Sequence, residues 1–197
     1  MLIPMSEPYL KVKKLTHAYG RAALFSAVTF DLAPGFILQV TGKNGSGKTT
    51  LLQLLSGIKI PQDGSIHLRE DITCAYVGHK NAVKAELSPL ENLALYQPDA
   101  KSCAQALEAL GLEKSHHRRP CYRLSAGQQR KVALSRLILS DAKVWLLDEP
   151  FTALDDTAKA HVIKQLESHA QNGGSAIVAT HERLDLGKTI LKEMVMS

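Results

Sequence analysis

Residues 36–57 read FILQVTGKNGSGKTTLLQLLSG. FILQVTG is a mostly apolar run suited to a buried strand, and the leucines of TTLLQLLSG fit a buried helix stopped by Gly57. Between them, Gly42-Lys43-Asn44-Gly45-Ser46-Gly47-Lys48-Thr49 matches the phosphate-loop pattern of Gly, four residues, Gly-Lys and Ser or Thr. Its glycines let backbone amides converge on phosphate oxygens, which the N-terminus of the following helix also attracts. Gly42, Asn44, Gly45, Ser46, Gly47, Lys48, Thr49 and Thr50 are therefore the expected nucleotide-binding residues. Lys48 is expected to reach the β and γ phosphates, and Thr49 to ligate Mg²⁺ through its hydroxyl. A plain glycine-rich turn capped by serine is the alternative, but strand, loop and helix in this order predict an α/β nucleotide-binding core.

Downstream, Val144-Trp145-Leu146-Leu147-Asp148-Glu149 places two carboxylates at the C-terminal end of an apolar strand, the end where open α/β sheets bind ligands. Asp148 is the candidate Mg²⁺ holder and Glu149 the candidate base or orienting group for an attacking water. In isolation Asp-Glu-Pro reads equally well as a solvated turn; the phosphate loop upstream favours the catalytic reading. SAIVAT, residues 175–180, is a second nearly all-apolar strand, and AKAHVIKQLESHA between the two is a helix.

The segment LSAGQQRKVALSRLILSDAKVWLLDEPFTALD, residues 124–155, resembles the signature and second acidic motif of ABC transporter ATPases, and the likeness covers nearly the whole chain. The resemblance implies one cassette over residues 1–197, an α/β P-loop NTPase with a mixed sheet core, an N-terminal antiparallel β subdomain and a helical subdomain inserted over about 86–135. It implies ATP and Mg²⁺ as ligands and ATP hydrolysis as the activity. It also implies a head-to-tail pair of cassettes, identical or related, in which Ser125, Gly127 and Gln128 of one close over the nucleotide held by the other. Ser125 and Gly127 open a helix, so hydroxyl, amides and dipole face an anion, with Gln128, Gln129, Arg130 and Lys131 adding polar groups on its first turns. In isolation the same residues make a plain helix cap. Ala153-Leu154-Asp155 resembles the loop that communicates between the two sites. His181 resembles the switch histidine that acts with Glu149, making Glu149, His181 and Lys48 the catalytic set, and Tyr19 resembles the aromatic that stacks on adenine, an ordinary turn tyrosine being the alternative.

One position departs from the family pattern. Where these ATPases have a glutamine linking Mg²⁺ and the membrane partner, this chain reads Tyr76-Val77-Gly78-His79-Lys80. A lysine offers no oxygen to a metal and its ammonium competes for the same anionic space. YVGHK, the following ELSPLENLALY and WLLDEPFTALDD together resemble the ATP-binding subunits of bacterial cytochrome c maturation export complexes. That likeness implies integral membrane partners and a peripheral place on the cytoplasmic side of the inner membrane. Another ABC transporter ATPase is the runner-up; a soluble ABC protein acting on ribosomes or nucleic acid ranks below both, since the chain has one cassette and no heptad run.

The rest of the sequence agrees. Tyr9 to Asp31 reads as short alternating strands with a turn at HAYG, Ile58 to Tyr76 as a hairpin returning to the main sheet, and SPLENLALY and SCAQALEALG as helices. Lys114 to Arg119 reads as a solvated helix end or a small lipid-facing patch, the former being favoured. The 197 residues, 45% hydrophobic and 22% charged, suffice for one substantial core. The net charge of +5 suits a polyphosphate without selecting it from other anions. Cys74, Cys103 and Cys121 form no CxxC or CxxCH, which gives covalent haem or a structural metal no support. No apolar run approaches the ~20 residues a spanning helix needs.

Overall fold

The computed structural model describes residues 7–19, 22–186 and 190–196. Its strands in chain order are β1 (Leu10–Tyr19), β2 (Ala22–Leu32), β3 (Phe36–Gly42), β4 (Asp63–Leu68), β5 (Cys74–Val77), β6 (Val144–Asp148), β7 (Ser175–Ala179) and β8 (Ile190–Met196). The helices are α1 (Lys48–Leu55), α2 (Pro89–Ala94), α3 (Ala100–Ala109), α4 (Ala126–Ile138) and α5 (Asp156–Gln171). Antiparallel and parallel pairing are segregated into two sheets: β2-β1-β4 is antiparallel, and β5-β6-β7-β3-β8 is parallel throughout.

β6 and β7 are buried at every position, which is why both read as continuous apolar runs. Alternate residues supply opposite faces. Leu146 and Ile177 join the α1 leucines and the antiparallel sheet on one side, and Leu147 and Val178 join α4 and α5 on the other. A third apolar cluster forms among the helices after β5, around Leu93, Leu107, Leu112, Leu124 and Val132. α4 belongs to both regions, since Val132 faces that third cluster while Ala133, Leu134 and Leu137 face the sheet. Ser88 starts α2 with a reciprocal capping box to Glu91, an arrangement that contributes about 1 kcal/mol.

Two local expectations change. Of the expected turn at HAYG, His17, Ala18 and Tyr19 instead extend β1, paired with Phe25, Ala23 and Ala22, while Gly20 lies outside the described residues. The side chain of Gln62 accepts from the Ala18 amide at 2.6 Å and donates to its carbonyl at 3.1 Å, so pairing on both edges overrides local turn chemistry. Residues 58–76 do not form a hairpin either. β4 completes the free edge of β1, whereas β5 runs parallel to β6 with Cys74 opposite Val144, so the two strands lie in different sheets.

Candidate active site

β3 delivers the chain into a loop that only glycine can build at two points. Gly42 has φ 148° and Gly47, at the N-terminus of α1, has φ 93°. A Cβ on Gly42 would lie 2.5 Å from the Met196 carbonyl oxygen at the end of β8, and one on Gly47 would lie 2.6 Å from the Phe25 ring. The loop is thus clasped between β8 and β2. Lys48 is buried, and its ammonium donates to the Gly42 and Lys43 carbonyls at 2.8 and 3.3 Å. Ser46 Oγ is buried without a hydrogen-bond partner, and α1 has no side-chain cap. Gly45, Asn44 and Thr49 are exposed and Thr50 is buried. An open helix N-terminus beside a buried cation and an unpaired hydroxyl is an arrangement that accepts an anion.

The parallel sheet brings the acidic pair to the same end. Asp148 is 1% exposed and its Oδ2 has no partner. The next residue, Glu149, sits in left-handed backbone at φ 48°, a conformation that costs a non-glycine residue about 1–2 kcal/mol. It is held there from both ends: its amide donates to the Ala179 carbonyl at 2.8 Å, and its carbonyl accepts from Arg130 at 3.1 Å. The turn aims the Glu149 carboxylate at His181, whose Nδ1 stands 3.0 Å from Oε2. His181 follows β7 and is itself exposed, while the segment after it is tethered by Gln39, buried in β3, which donates to the Glu182 carbonyl at 2.7 Å and accepts from the Leu184 amide at 3.4 Å.

Arg130 links this end to the loop after β5. It is 2% exposed and donates to the carbonyls of Gly78, Asp148, Glu149 and Pro150 and to Asn81 Oδ1, at 2.7–3.3 Å. Burial pulls the pKa of its guanidinium down to about 10, with the Asp148 carboxylate opposing, so it remains charged at neutral pH. Arg130 is therefore not one of the polar groups presented around Ser125, as its place in the first turns of α4 suggested; it faces inward.

Thr49, Tyr76, Gly78, His79, Lys80, Arg136 and Asp148 line one cavity of about 590 Å³. Thr49 and Asp148 thus share a space that the sequence assigned to Mg²⁺. No cluster of three or more His, Cys, Asp or Glu suited to a metal occurs among the described residues. A hydroxyl and one unpaired buried carboxylate oxygen fit Mg²⁺, which takes few protein ligands, keeps several waters and relies on substrate phosphates. The Asn81 side-chain oxygen, on the loop after β5, accepts from Arg130 at 3.1 Å.

Ser125 caps α4 in a reciprocal box: its hydroxyl accepts from the Gln128 amide at 3.2 Å, and Gln128 Oε1 accepts from the Ser125 amide at 2.9 Å. The Gln128 amide nitrogen lies 3.1 Å from His116 Nε2. A Cβ on Gly127 would meet the Ala153 carbonyl at 2.4 Å, so this glycine permits a close approach of α4 to the segment between Glu149 and α5. Asp155 caps α5, accepting from the Ala158 amide at 2.7 Å. Lys114–His116 is a short 3₁₀ turn; His117 is buried with Nε2 3.0 Å from the Leu112 carbonyl, leaving Lys114, Arg118 and Arg119 exposed. The histidines of that run are therefore packed inward, where a solvated helix end was expected.

Residues 25–152 match the ABC transporter family. The chain belongs to the ABC transporter family. It is 40% identical over 203 residues to the Cytochrome c biogenesis ATP-binding export protein CcmA 2 of Cupriavidus metallidurans, covering 95% of this chain and 96% of that one. It is 42% identical to the protein of the same description, CcmA, from Pseudomonas savastanoi pv. phaseolicola, over 93% and 92% of the two chains. A bacterial ABC transporter cassette solved as a dimer shares the fold, with TM-score 0.82 at 21% identity and 94% coverage of both chains. Family and fold imply an ATP-hydrolysing enzyme that binds ATP with Mg²⁺.

Within this ABC cassette, the phosphate loop, Asp148, Glu149 and His181 lie at one end of the parallel sheet, as the motifs suggested. Among the described residues, the hydrogen bonds of Ser125 and Gln128 stay within α4 and with His116; none reaches the phosphate loop. Tyr19 ends β1, but its side chain lies outside the described residues, as does any contact it makes with adenine. Gln39 and the Met196 carbonyl were not found from sequence as parts of the site, and the role of Arg130 behind Asp148 and Glu149 was not foreseen. A glutamine inside the apolar run FILQVTG was the available signal for Gln39; nothing local marks the other two.

Proposed function

We propose that this chain is the ATP-hydrolysing subunit of an export complex for cytochrome c biogenesis, one cassette over residues 1–197 with its helical lobe near 86–135. It acts as one of two cassettes with ATP between them. The observation that carries the catalytic part is the Glu149–His181 pair, 3.0 Å apart, on a backbone bend held by Ala179 and Arg130. Lys48 exchanges the Gly42 and Lys43 carbonyls for β and γ phosphate oxygens, while Gly42, Asn44, Gly45, Ser46, Gly47 and Thr50 frame the rest of the triphosphate. Tyr19 takes the adenine. Glu149 and His181 orient a water in line with the γ-phosphorus, Glu149 taking its proton as ADP departs. Thr49 and Asp148 would hold Mg²⁺, which neutralises charge on the β and γ phosphates. Ser125, Gly127 and Gln128 close over the nucleotide of the partner cassette, a reading supported by the dimeric relative of the same fold.

The biological assignment rests on the relatives, named as cytochrome c biogenesis ATP-binding export proteins over nearly their full length. Among the described residues no helix is long and apolar enough to cross a membrane. In this reading the chain sits peripherally on the cytoplasmic side of the bacterial inner membrane, and integral membrane subunits supply the path. They would contact the helical lobe from Glu86 to Tyr122, near the loop that carries Lys80. The cycle in that complex drives haem release or transfer. Covalent haem on this chain and nucleic acid as a partner have no place in this reading. Glu149→Gln should trap an ATP-bound dimer, seen by light scattering with Mg-ATP, together with loss of phosphate release; a variant that stays monomeric at saturating Mg-ATP refutes the scheme. Pull-down from detergent-solubilised host membranes tests the partner: cytochrome c maturation membrane proteins support the assignment, and a different permease replaces it.

A further inference from the structure

Lys80 shares the 590 Å³ cavity with Thr49 and with Asp148, the one carboxylate among the cavity's lining residues. Lys80 and Arg136, the lysine and the arginine on that wall, differ in how far they are committed. Arg136 is spent on its surroundings: it donates to the carbonyls of Ala133 at 3.0 Å, Ala82 at 3.3 Å and Asn81, and to the Tyr96 hydroxyl at 3.2 Å. Lys80 is exposed and, among the described residues, has neither a hydrogen-bond nor an ion-pair partner, and its four-carbon stem leaves the ammonium free to move within the cavity. Asp148 lines the same cavity, and its Oδ2 is buried without a hydrogen-bond partner. An uncommitted cation and a carboxylate with one oxygen free of hydrogen bonds thus line the same space, the space in which a triphosphate would bring several negative charges.

We propose that Lys80 is a resident counter-cation of the nucleotide site, one that helps hold the polyphosphate end of ATP when Mg²⁺ is absent and so weakens the coupling between ATP and Mg²⁺. This rests on the reading of the cavity as the metal end of an ATP site. Without Mg²⁺, the ammonium offsets part of the charge on Asp148 and the phosphates. With Mg²⁺, the same ammonium repels the divalent ion, so the metal gains less from the site than it would beside a neutral side chain. Linkage makes the two effects one quantity: ATP and Mg²⁺ favour each other less in this chain than in a Lys80→Gln variant. A unit charge within a few ångströms of both ligands, at the intermediate dielectric of a cleft, changes that coupling by about tenfold.

The test is equilibrium binding of ATP carrying a fluorescent N-methylanthraniloyl group on its ribose. Dissociation constants are measured with excess Mg²⁺ and with EDTA at fixed ionic strength, for the full chain and for Lys80→Gln and Lys80→Arg. The ratio of the EDTA constant to the Mg²⁺ constant should rise about tenfold in Lys80→Gln and stay within about twofold of the original in Lys80→Arg, which keeps the charge. A Lys80→Gln ratio within about twofold of the original, with binding intact, overturns the proposal. An equal rise in both variants also overturns it, since shape rather than charge would then govern. Absence of binding by the unmodified chain under both conditions overturns the ATP-site reading on which the proposal stands.

Discussion

Replacing Arg130 by methionine keeps most of the buried stem and deletes the guanidinium. The structure gives that group five acceptors on two segments: Gly78 and Asn81 after β5, and Asp148, Glu149 and Pro150 at the end of β6 and just beyond it. Hydrogen bonds to a charged donor contribute about 1.5–3 kcal/mol each when measured singly, but they share one donor here and do not add. Relief of a strongly desolvated charge, visible in the drop of the pKa to about 10, offsets part of the loss. Leaving buried carbonyls unpaired where an internal charge had satisfied them costs about 3–5 kcal/mol. For a chain of this size each kcal/mol moves the midpoint by about 2–4 °C, so Tm should fall by roughly 10 °C. Arg130→Lys, a point donor, should recover less than half of this, because it cannot reach all five acceptors on the two segments. Scanning calorimetry with urea unfolding measures both, and phosphate release below the new Tm should also fall at least about tenfold, since Glu149 loses the contact that holds its bend. A Tm loss under about 3 °C for Arg130→Met would refute the view that this side chain ties the segments together.

Gly127→Ala offers a sign test. In the first turns of a helix alanine is favoured over glycine by up to about 1 kcal/mol, yet its Cβ would lie 2.4 Å from the Ala153 carbonyl, so the variant should lose about 1–3 kcal/mol in urea unfolding; a more stable protein would contradict the close approach. His169 stacks on Trp145 at 3.8 Å, and burial pushes its pKa below the ordinary 6.5. Unfolding therefore takes up a proton as pH falls below about 6.5, and stability should drop from that value down through the lower folded-state pKa. His169→Phe, which keeps an aromatic ring against Trp145, should show a shallower fall in Tm between about pH 7.5 and 5.5; an unchanged slope would exclude His169 as its source.

Much of the site was legible because its chemistry is local. Gly42 to Thr49 must be contiguous for one loop to wrap a phosphate, and Asp148 and Glu149 must end a strand that is apolar along its length. What failed was equally specific. HAY carries turn-like residues, yet pairing to β2 and the Gln62 side chain draws it into β1. Strands β4 and β5 adjoin in sequence and look like a hairpin, but each satisfies its backbone against a distant partner, β1 or β6.

By itself the sequence determined the elements and the chemistry of the reacting groups, because helix and strand periodicity, glycine spacing and carboxylate placement are properties of a few consecutive residues. Only the tertiary structure decided which groups act on one another. Arg130 joins residues 52 and 18 positions away in one hydrogen-bonding centre, Glu149 reaches a histidine 32 residues on, and Lys80 shares a cavity with Asp148. Those relations arise from the stacking of parallel strands whose order, β5-β6-β7-β3-β8, is not their order in the chain. Burial then gives each contact its strength, since a charge or carbonyl removed from water is committed to the partners that the fold provides.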